Sequence, residues 1–155
     1  MFRAGVRIAV DVGTVRIGVA ASDPSGSLAS PVTVVRRDRR GGSDLDALVG
    51  LIAERDPVEV VVGLPRTLRG GESASTADSR DYATALARRI APVPVRLVDE
   101  RLTTVTATRG LRAAGRTSRT TRATVDAAAA VVLLDAALDR ERATGEPAGD
   151  PVLVP

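Results

Sequence analysis

Residues 8–23 read IAVDVGTVRIGVAASD: two runs of Val, Ile and Ala of strand length, joined at Gly13 and Thr14, with one acid, Asp11, inside the first run. The β-branched runs and the glycine between them predict an antiparallel pair over 6–12 and 15–22. By two-residue alternation Asp11 shares a face with Arg7, Ala9 and Gly13, while Ile8, Val10 and Val12 point to the other. A carboxylate inside a buried strand costs several kcal/mol unless something pairs with it. Its bland role is to cap the turn at Gly13, an ordinary use of Asp; the alternatives are a cation ligand or a substrate partner.

Outward from this pair, a turn over 23–26 leads to a third strand at 31–36. An arginine-rich loop (Arg36, Arg37, Arg39, Arg40) then precedes Leu45, Leu48, Val49 and Ile52 at helical spacing. That helix is expected to be capped by Ser43 or Asp44 and to end near Asp56 and Pro57. VEVVVGLP at 58–65 is a continuous apolar run, the pattern of a buried parallel strand. A second helix is predicted over 74–91, and VRLVDE at 95–100 is a fifth strand ending in Asp99 and Glu100. A third helix starts at Thr103 or Thr104, and a long final helix covers 121–141 beyond a break at Gly115. The segment 144–155, with its Gly, Pro and acids, is expected to be an unstructured tail, leaving one domain over 1–143. A meander followed by alternating helices and strands implies an α/β fold, a mixed sheet with helices on both faces.

Composition narrows the chemistry. The chain has no His and no Cys, and all 22 of its basic residues are Arg. Histidine triads, thiol nucleophiles, imidazole or thiolate zinc sites, Schiff-base lysines and the Walker lysine are therefore excluded. Proton transfer and charge stabilisation must come from Asp, Glu, Arg, Tyr82, Ser or Thr, or from hard cations on carboxylate oxygens. A net charge of +3 favours a polyanionic partner. Phe2 and Tyr82 are the only aromatic residues, so base-stacking platforms cannot be built and a nucleic acid would be held by its phosphates and shape. No apolar stretch approaches the roughly 18 residues of a membrane helix, and MFRAGVR carries no apolar leader. The expectation is a cytoplasmic protein without membrane contact, with which the lack of cysteine agrees.

Three acids are candidates for chemistry. Asp11 lies in the first strand. Glu100 stands at the carboxyl end of the fifth, where open α/β sheets place ligands, although a solvated turn with Asp99 and Arg101 is the plain alternative. Asp126 stacks at helical spacing under Ala129, Ala130 and Leu133, on a face that should pack inward; its plain role is a first-turn acid favoured by the helix dipole. Asp135, Asp139 and Arg142 read as a solvent edge. Convergence would give the three candidates one purpose. Three clustered carboxylates repel unless divalent cations neutralise them, and two such ions about 4 Å apart are the usual apparatus of in-line phosphodiester cleavage.

DVGTVRIGVAASD at 11–23, VVGLP at 61–65 with Gly70 following, DERLTT at 99–104 and VDAAAAVVLL at 125–134 together resemble the YqgF/RuvX family, Holliday-junction-resolvase-like members of the RNase H-like superfamily. The resemblance covers the chain except its tail. It implies a five-stranded sheet of order 3-2-1-4-5 and a metal-dependent nuclease using Mg2+ or Mn2+, with catalytic and metal-binding acids at Asp11, Glu100 and Asp126. It further implies a substrate in the 5' end of pre-16S ribosomal RNA or, in some members, four-way DNA. Candidate substrate contacts are Gly13, Thr14, Arg101 and Thr104 beside the acids, Arg66 and Arg69 in the loop after the fourth strand, and Arg116 and Arg119 in a run that includes Arg109 and Arg112. The resemblance implies an amide after the GLP turn in many relatives, where this chain has Thr67 beside Arg66.

Two other classes remain open at this point. DVGT also resembles the first phosphate loop of the sugar-kinase and actin superfamily, but those proteins close two such domains over a nucleotide and this chain has room for one. A nucleic-acid-binding module without catalysis is the other. Junction resolution should need two active sites, hence a homodimer, whereas an RNA trimming enzyme could work singly.

Overall fold

β1 (Arg7–Val12), β2 (Arg16–Ser22) and β3 (Ala29–Arg36) form the expected meander in the computed structural model. The structure describes residues 1–67, 69–102 and 119–154, with the side chains at 102 and 119–126 outside the description. The helix expected from Thr103 or Thr104 lies outside the described residues. β3 starts two residues earlier than its sequence pattern, and its Pro31 sits where the β2–β3 register shifts, on the sheet edge, where a residue without an N–H is tolerated.

β4 (Glu59–Leu64) pairs in parallel with β1, and β5 (Val95–Asp99) in parallel with β4. α1 (Ser43–Arg55) and α2 (Ala74–Ile90) cover one face of the sheet, and α3 (Arg119–Thr144) covers the other. Alternation divides the core between them. Ile8, Val10, Val60 and Val62 pack with Leu48, Ile52, Tyr82 and Leu86; Ala9, Ala20 and Val61 pack with Ala130, Leu133, Leu134 and Leu138. Small alanines on both sides of the second layer let α3 lie close to the sheet, and each larger side chain buried here contributes about 1.5–3 kcal/mol.

The caps differ from expectation at one helix. The N-cap position of α1 is Gly42 at φ 71°, not Ser43 or Asp44. Asp38 is the reason, since its carboxylate accepts from Gly41 N–H, Ser43 N–H and the Ser43 hydroxyl. These bonds hold Asp38 down at about 2, the Ser43 hydroxyl contributing most. At α2 a reciprocal capping box forms between Ser73 and Thr76.

Beyond Thr144 the chain departs from the disorder expected of it, because it finds partners along β5. Ala148 is buried in the α3-side core, and Arg96 Nε donates to its carbonyl at 2.7 Å. Val152 N–H donates to Val95 O at 2.8 Å, and β6 (Asp150–Pro151) pairs antiparallel with β5. Gly149, at φ 76°, passes so close to Leu97 O that a Cβ would collide. The sheet therefore has six strands, ordered β3-β2-β1-β4-β5-β6, one more than the five implied. An exposed edge at β5 supplied the unpaired backbone groups that sequence patterning does not display.

A buried ionic cluster closes the amino end of the sheet. Arg7 Nη2 donates to Glu141 Oε2 at 2.9 Å, and Arg3 Nη2 reaches Glu141 Oε1 at 2.6 Å and Glu59 Oε1 at 3.1 Å. Burial pushes the Glu59 carboxyl up, and Arg3 pulls it back only in part. The cluster also ties the Glu141 end of α3 to the amino edge of the sheet. With Glu141 at the amino edge and about 1.5 Å of rise per residue, the helix position of Asp126 lies about 22 Å toward the carboxyl edge.

Candidate active site

At the carboxyl edge the strands bring two of the three candidate acids to one face. Asp11 follows Ala9 on the α3 side, is half-buried, and pairs across the ladder with Gly18 of β2. On its other side the register Val10–Val62 continues to Gly63 of β4. A residue with no side chain thus flanks Asp11 on each neighbouring strand, so neither strand places a side chain of its own beside the carboxylate.

Glu100 reaches the β4 side of Asp11. It stands just past β5 in a single 3-10 turn, Glu100–Leu102, rather than at the end of the strand itself. Its carboxylate lies directly over Gly63, where a Cβ would fall 2.5 Å from Glu100 Oε1. Gly63 is adjacent to Asp11 across the ladder, so the two acids occupy neighbouring positions on the same edge and face. Gly18 and Gly63 are the positions beside the candidate acids that sequence reasoning passed over. Glycines inside otherwise β-branched strands were the available signal.

Asp126 occupies the α3 position one turn before Ala130, which is fully buried against this face. Its side chain lies outside the described residues. Among the described residues no group of three carboxylates forms a metal site. The donor chemistry of Asp11 and Glu100 nevertheless fits a hard divalent cation, which takes oxygen ligands in an open, partly hydrated site.

The surrounding arginines divide by engagement. Arg101 donates to Asp99 through its backbone N–H, Nε and Nη2, the last at 2.6 Å, so it braces the turn that carries Glu100. That hydrogen bonding holds the Asp99 carboxyl below its ordinary range. Arg66 is half-buried and donates to Gly70 O at 3.2 Å within a loop that Thr67, Gly70 and Gly71 close with their own hydrogen bonds. Arg69 is exposed at the same edge, as is Thr14, while Gly13 is half-buried. Thr104 and Arg116 lie outside the described residues, and Arg119 opens α3 with its side chain outside them too. A groove of about 730 Å3 between β5, β6 and α3, lined by Val98, Asp99, Asp135 and Ala136 among others, does not include Asp11 or Glu100.

A family model described as RuvX, Holliday junction resolvase, matches residues 5–140. The chain belongs to the RuvX family. Curated relatives of this family member carry the name "Putative pre-16S rRNA nuclease". One from Nocardioides is 58% identical, covering 96% of each chain, and one from Streptomyces coelicolor is 54% identical over 98% of this chain and 90% of its own. Among solved structures, Thermus thermophilus RuvC in complex with a Holliday junction substrate matches with a TM-score of 0.61 at 15% identity, covering 94% of this chain and 99% of that one. That likeness establishes the RuvC-like, RNase H-like fold for this RuvX chain. No described helix is long and apolar enough to cross a membrane.

Proposed function

We propose that the protein is a divalent-metal-dependent endonuclease that hydrolyses phosphodiester bonds in structured nucleic acid, with the 5' end of pre-16S rRNA as its substrate. The observation that carries the chemistry is the seating of the Glu100 carboxylate on Gly63, next to Asp11. The names of relatives above 50% identity support the choice of substrate.

Asp11, Glu100 and Asp126 would hold Mg2+ or Mn2+, which when bound supplies an acidified water and charge stabilisation at the departing oxygen. Asp11 and Glu100 present hard oxygens from one rigid sheet edge. Gly18 and Gly63 keep that edge open to a backbone phosphate. Arg66, Arg69 and Arg119, with Arg116 and Thr104, are the proposed substrate contacts; Arg101 acts mainly through the turn that bears Glu100. With neither His, Cys nor Lys in the chain, carboxylate chemistry is the available route.

The family description favours a second reading, cleavage of four-way DNA. Both are tested together by offering the full-length protein a labelled pre-16S rRNA fragment and a four-way DNA junction, with Mg2+, Mn2+ or chelator. We expect metal-dependent cutting of the RNA. Cutting of the junction alone, by a protein that elutes as a dimer, selects the resolvase. Asp11→Asn should lose cleavage about 100-fold or more while retaining substrate binding; undiminished cleavage by that variant overturns the assignment of the acids.

A further inference from the structure

The chain turns immediately after Asp11, and that turn is gripped from the opposite face of the sheet. Three successive carbonyl oxygens accept hydrogen bonds from one short segment. Gly13 O accepts from Arg37 Nη1 at 2.9 Å, Thr14 O from Arg39 Nη2 at 3.3 Å, and Val15 O from the Arg37 backbone N–H at 2.8 Å. Asp78 of α2 locks the arrangement, accepting from Arg37 Nη1 at 2.9 Å and Nη2 at 3.1 Å, and from Arg39 at 3.3 and 3.4 Å. Gly13 itself is required, because a Cβ there would lie 2.5 Å from Arg16 O, the acceptor of its own N–H.

Arg37 is not placed to meet a substrate. Its side chain is 7% exposed, its guanidinium lies 5.1 Å from the Tyr82 ring centre, and its Nε sits 3.7 Å from Asp44 Oδ2. Asp44, Asp78 and Tyr82 all belong to the helices on the α1–α2 face. A trans peptide sets its N–H opposite its C=O. Drawing the carbonyls of Gly13 and Thr14 toward Arg37 and Arg39 therefore turns the N–H groups of Thr14 and Val15 away from that face, to the side that carries Asp11 and Glu100. Successive backbone N–H groups aimed outward from a tight turn form an anion cradle.

We propose that the turn at Gly13–Thr14 is a phosphate-binding site for the nucleic-acid strand beside Asp11, and that Arg37, locked by Asp78, is the positioning residue that aims its amides. The inference rests on the nuclease reading; it gives the candidate contacts Gly13 and Thr14 a chemistry, phosphate held by backbone amides, and adds a residue acting from the far side of the sheet. It assigns Arg37 no contact with substrate. The turn contributes backbone donors, which read phosphate without reading sequence.

The test uses full-length wild type, Arg37→Lys, Asp78→Asn and Asp78→Glu, with Arg89→Ala as a control in an exposed α1–α2 ion pair remote from the turn. Lysine keeps the charge but cannot hold the fork to Asp78 while donating to Gly13 O. Three readouts are taken well below each variant's melting temperature: hydrogen exchange at the amides of Gly13 and position 37, which donate to Arg16 O and Val15 O across the turn, binding of labelled pre-rRNA in chelator by anisotropy, and kcat and KM in Mg2+. In Arg37→Lys and Asp78→Asn we expect faster exchange at both amides, RNA binding weakened several-fold, and kcat lowered about tenfold, with Asp78→Glu restoring most of it. Unchanged exchange removes the brace, and faster exchange with unaltered RNA binding and kcat removes the phosphate site. Should Arg37→Lys fail to fold, the two Asp78 variants decide alone. Wild type that cuts nothing sinks the nuclease reading, and exchange with anisotropy still judge the subsite.

Discussion

The two ends of this sheet both concentrate charge, and they use it in opposite ways. At the amino end Arg7, Glu59 and Glu141 are almost fully buried, and Arg3, Arg7, Glu59 and Glu141 bond one another. At the carboxyl end Asp11 and Glu100 are half-buried beside strand positions that carry no side chain. Groups sealed with partners fix the relative placement of strands and helix. Half-buried groups at the strand ends are the ones proposed to hold an ion against a phosphate. The same residue types thus serve stability at one end and, as proposed, chemistry at the other, and burial separates the roles.

Breaking the amino end should have the largest effect, and on stability alone. Glu141→Ala leaves the Arg7 guanidinium buried beside its vacated partner, and we expect a loss of about 3–5 kcal/mol by denaturant unfolding. Its kcat, measured where the variant is folded, should match wild type. A fall in kcat there would mean that α3 transmits the cluster's state to Asp126, and the separation of roles would fail.

Gly63→Ala sharpens the contrast from the other end. The added methyl meets the tip of a flexible Glu100 side chain, which can swing aside at small cost to the fold. The carboxylate then leaves its place beside Asp11. We expect cleavage to fall about tenfold or more, roughly 1.4 kcal/mol or above in transition-state stabilisation, with the melting temperature nearly unchanged. Full activity in Gly63→Ala would detach Glu100 from catalysis.

A smaller effect comes from acid. Hydrogen bonds from Arg37 hold the Asp78 carboxyl down from its ordinary 3.8 to about 2. A carboxyl depressed in the folded state stabilises it fully above the ordinary value, and that contribution fades as pH falls from 3.8 toward 2. Asp78 is partly exposed, so screening keeps the amount small. The melting-temperature gap between wild type and Asp78→Asn should be present at pH 5 and close by about pH 2. A gap that persists at the lower pH would show that the amide acts by disturbing packing instead of by losing charge.

Much of this arrangement was legible in the residues. Ile8, Val10 and Val12 against Ala9 and Asp11 gave the alternation that assigns the two faces, and the four family blocks pointed to Asp11, Glu100 and Asp126. Other features were hidden because they depend on partners distant in the chain. Ala148 and Val152 look like parts of a polar, proline-containing tail until β5 offers them an unpaired edge. Arg37 looks like one more residue of a solvated arginine loop until Asp78, 41 positions later, turns it beneath the sheet. Gly63 reads as the end of a strand until Glu100 lies on it.

Local periodicity and residue chemistry were enough to determine the order of the elements from β1 to β5 and, for the proposed function, to leave carboxylates as the means of catalysis, since both follow from neighbours in sequence and from which functional groups exist at all. Which charges are fully buried and which are only half-buried was decided only by tertiary packing. Solvent exclusion at a given atom is a property of everything that surrounds it, and for Glu141, Gly63 and Arg37 those surroundings come from elements far apart along the chain.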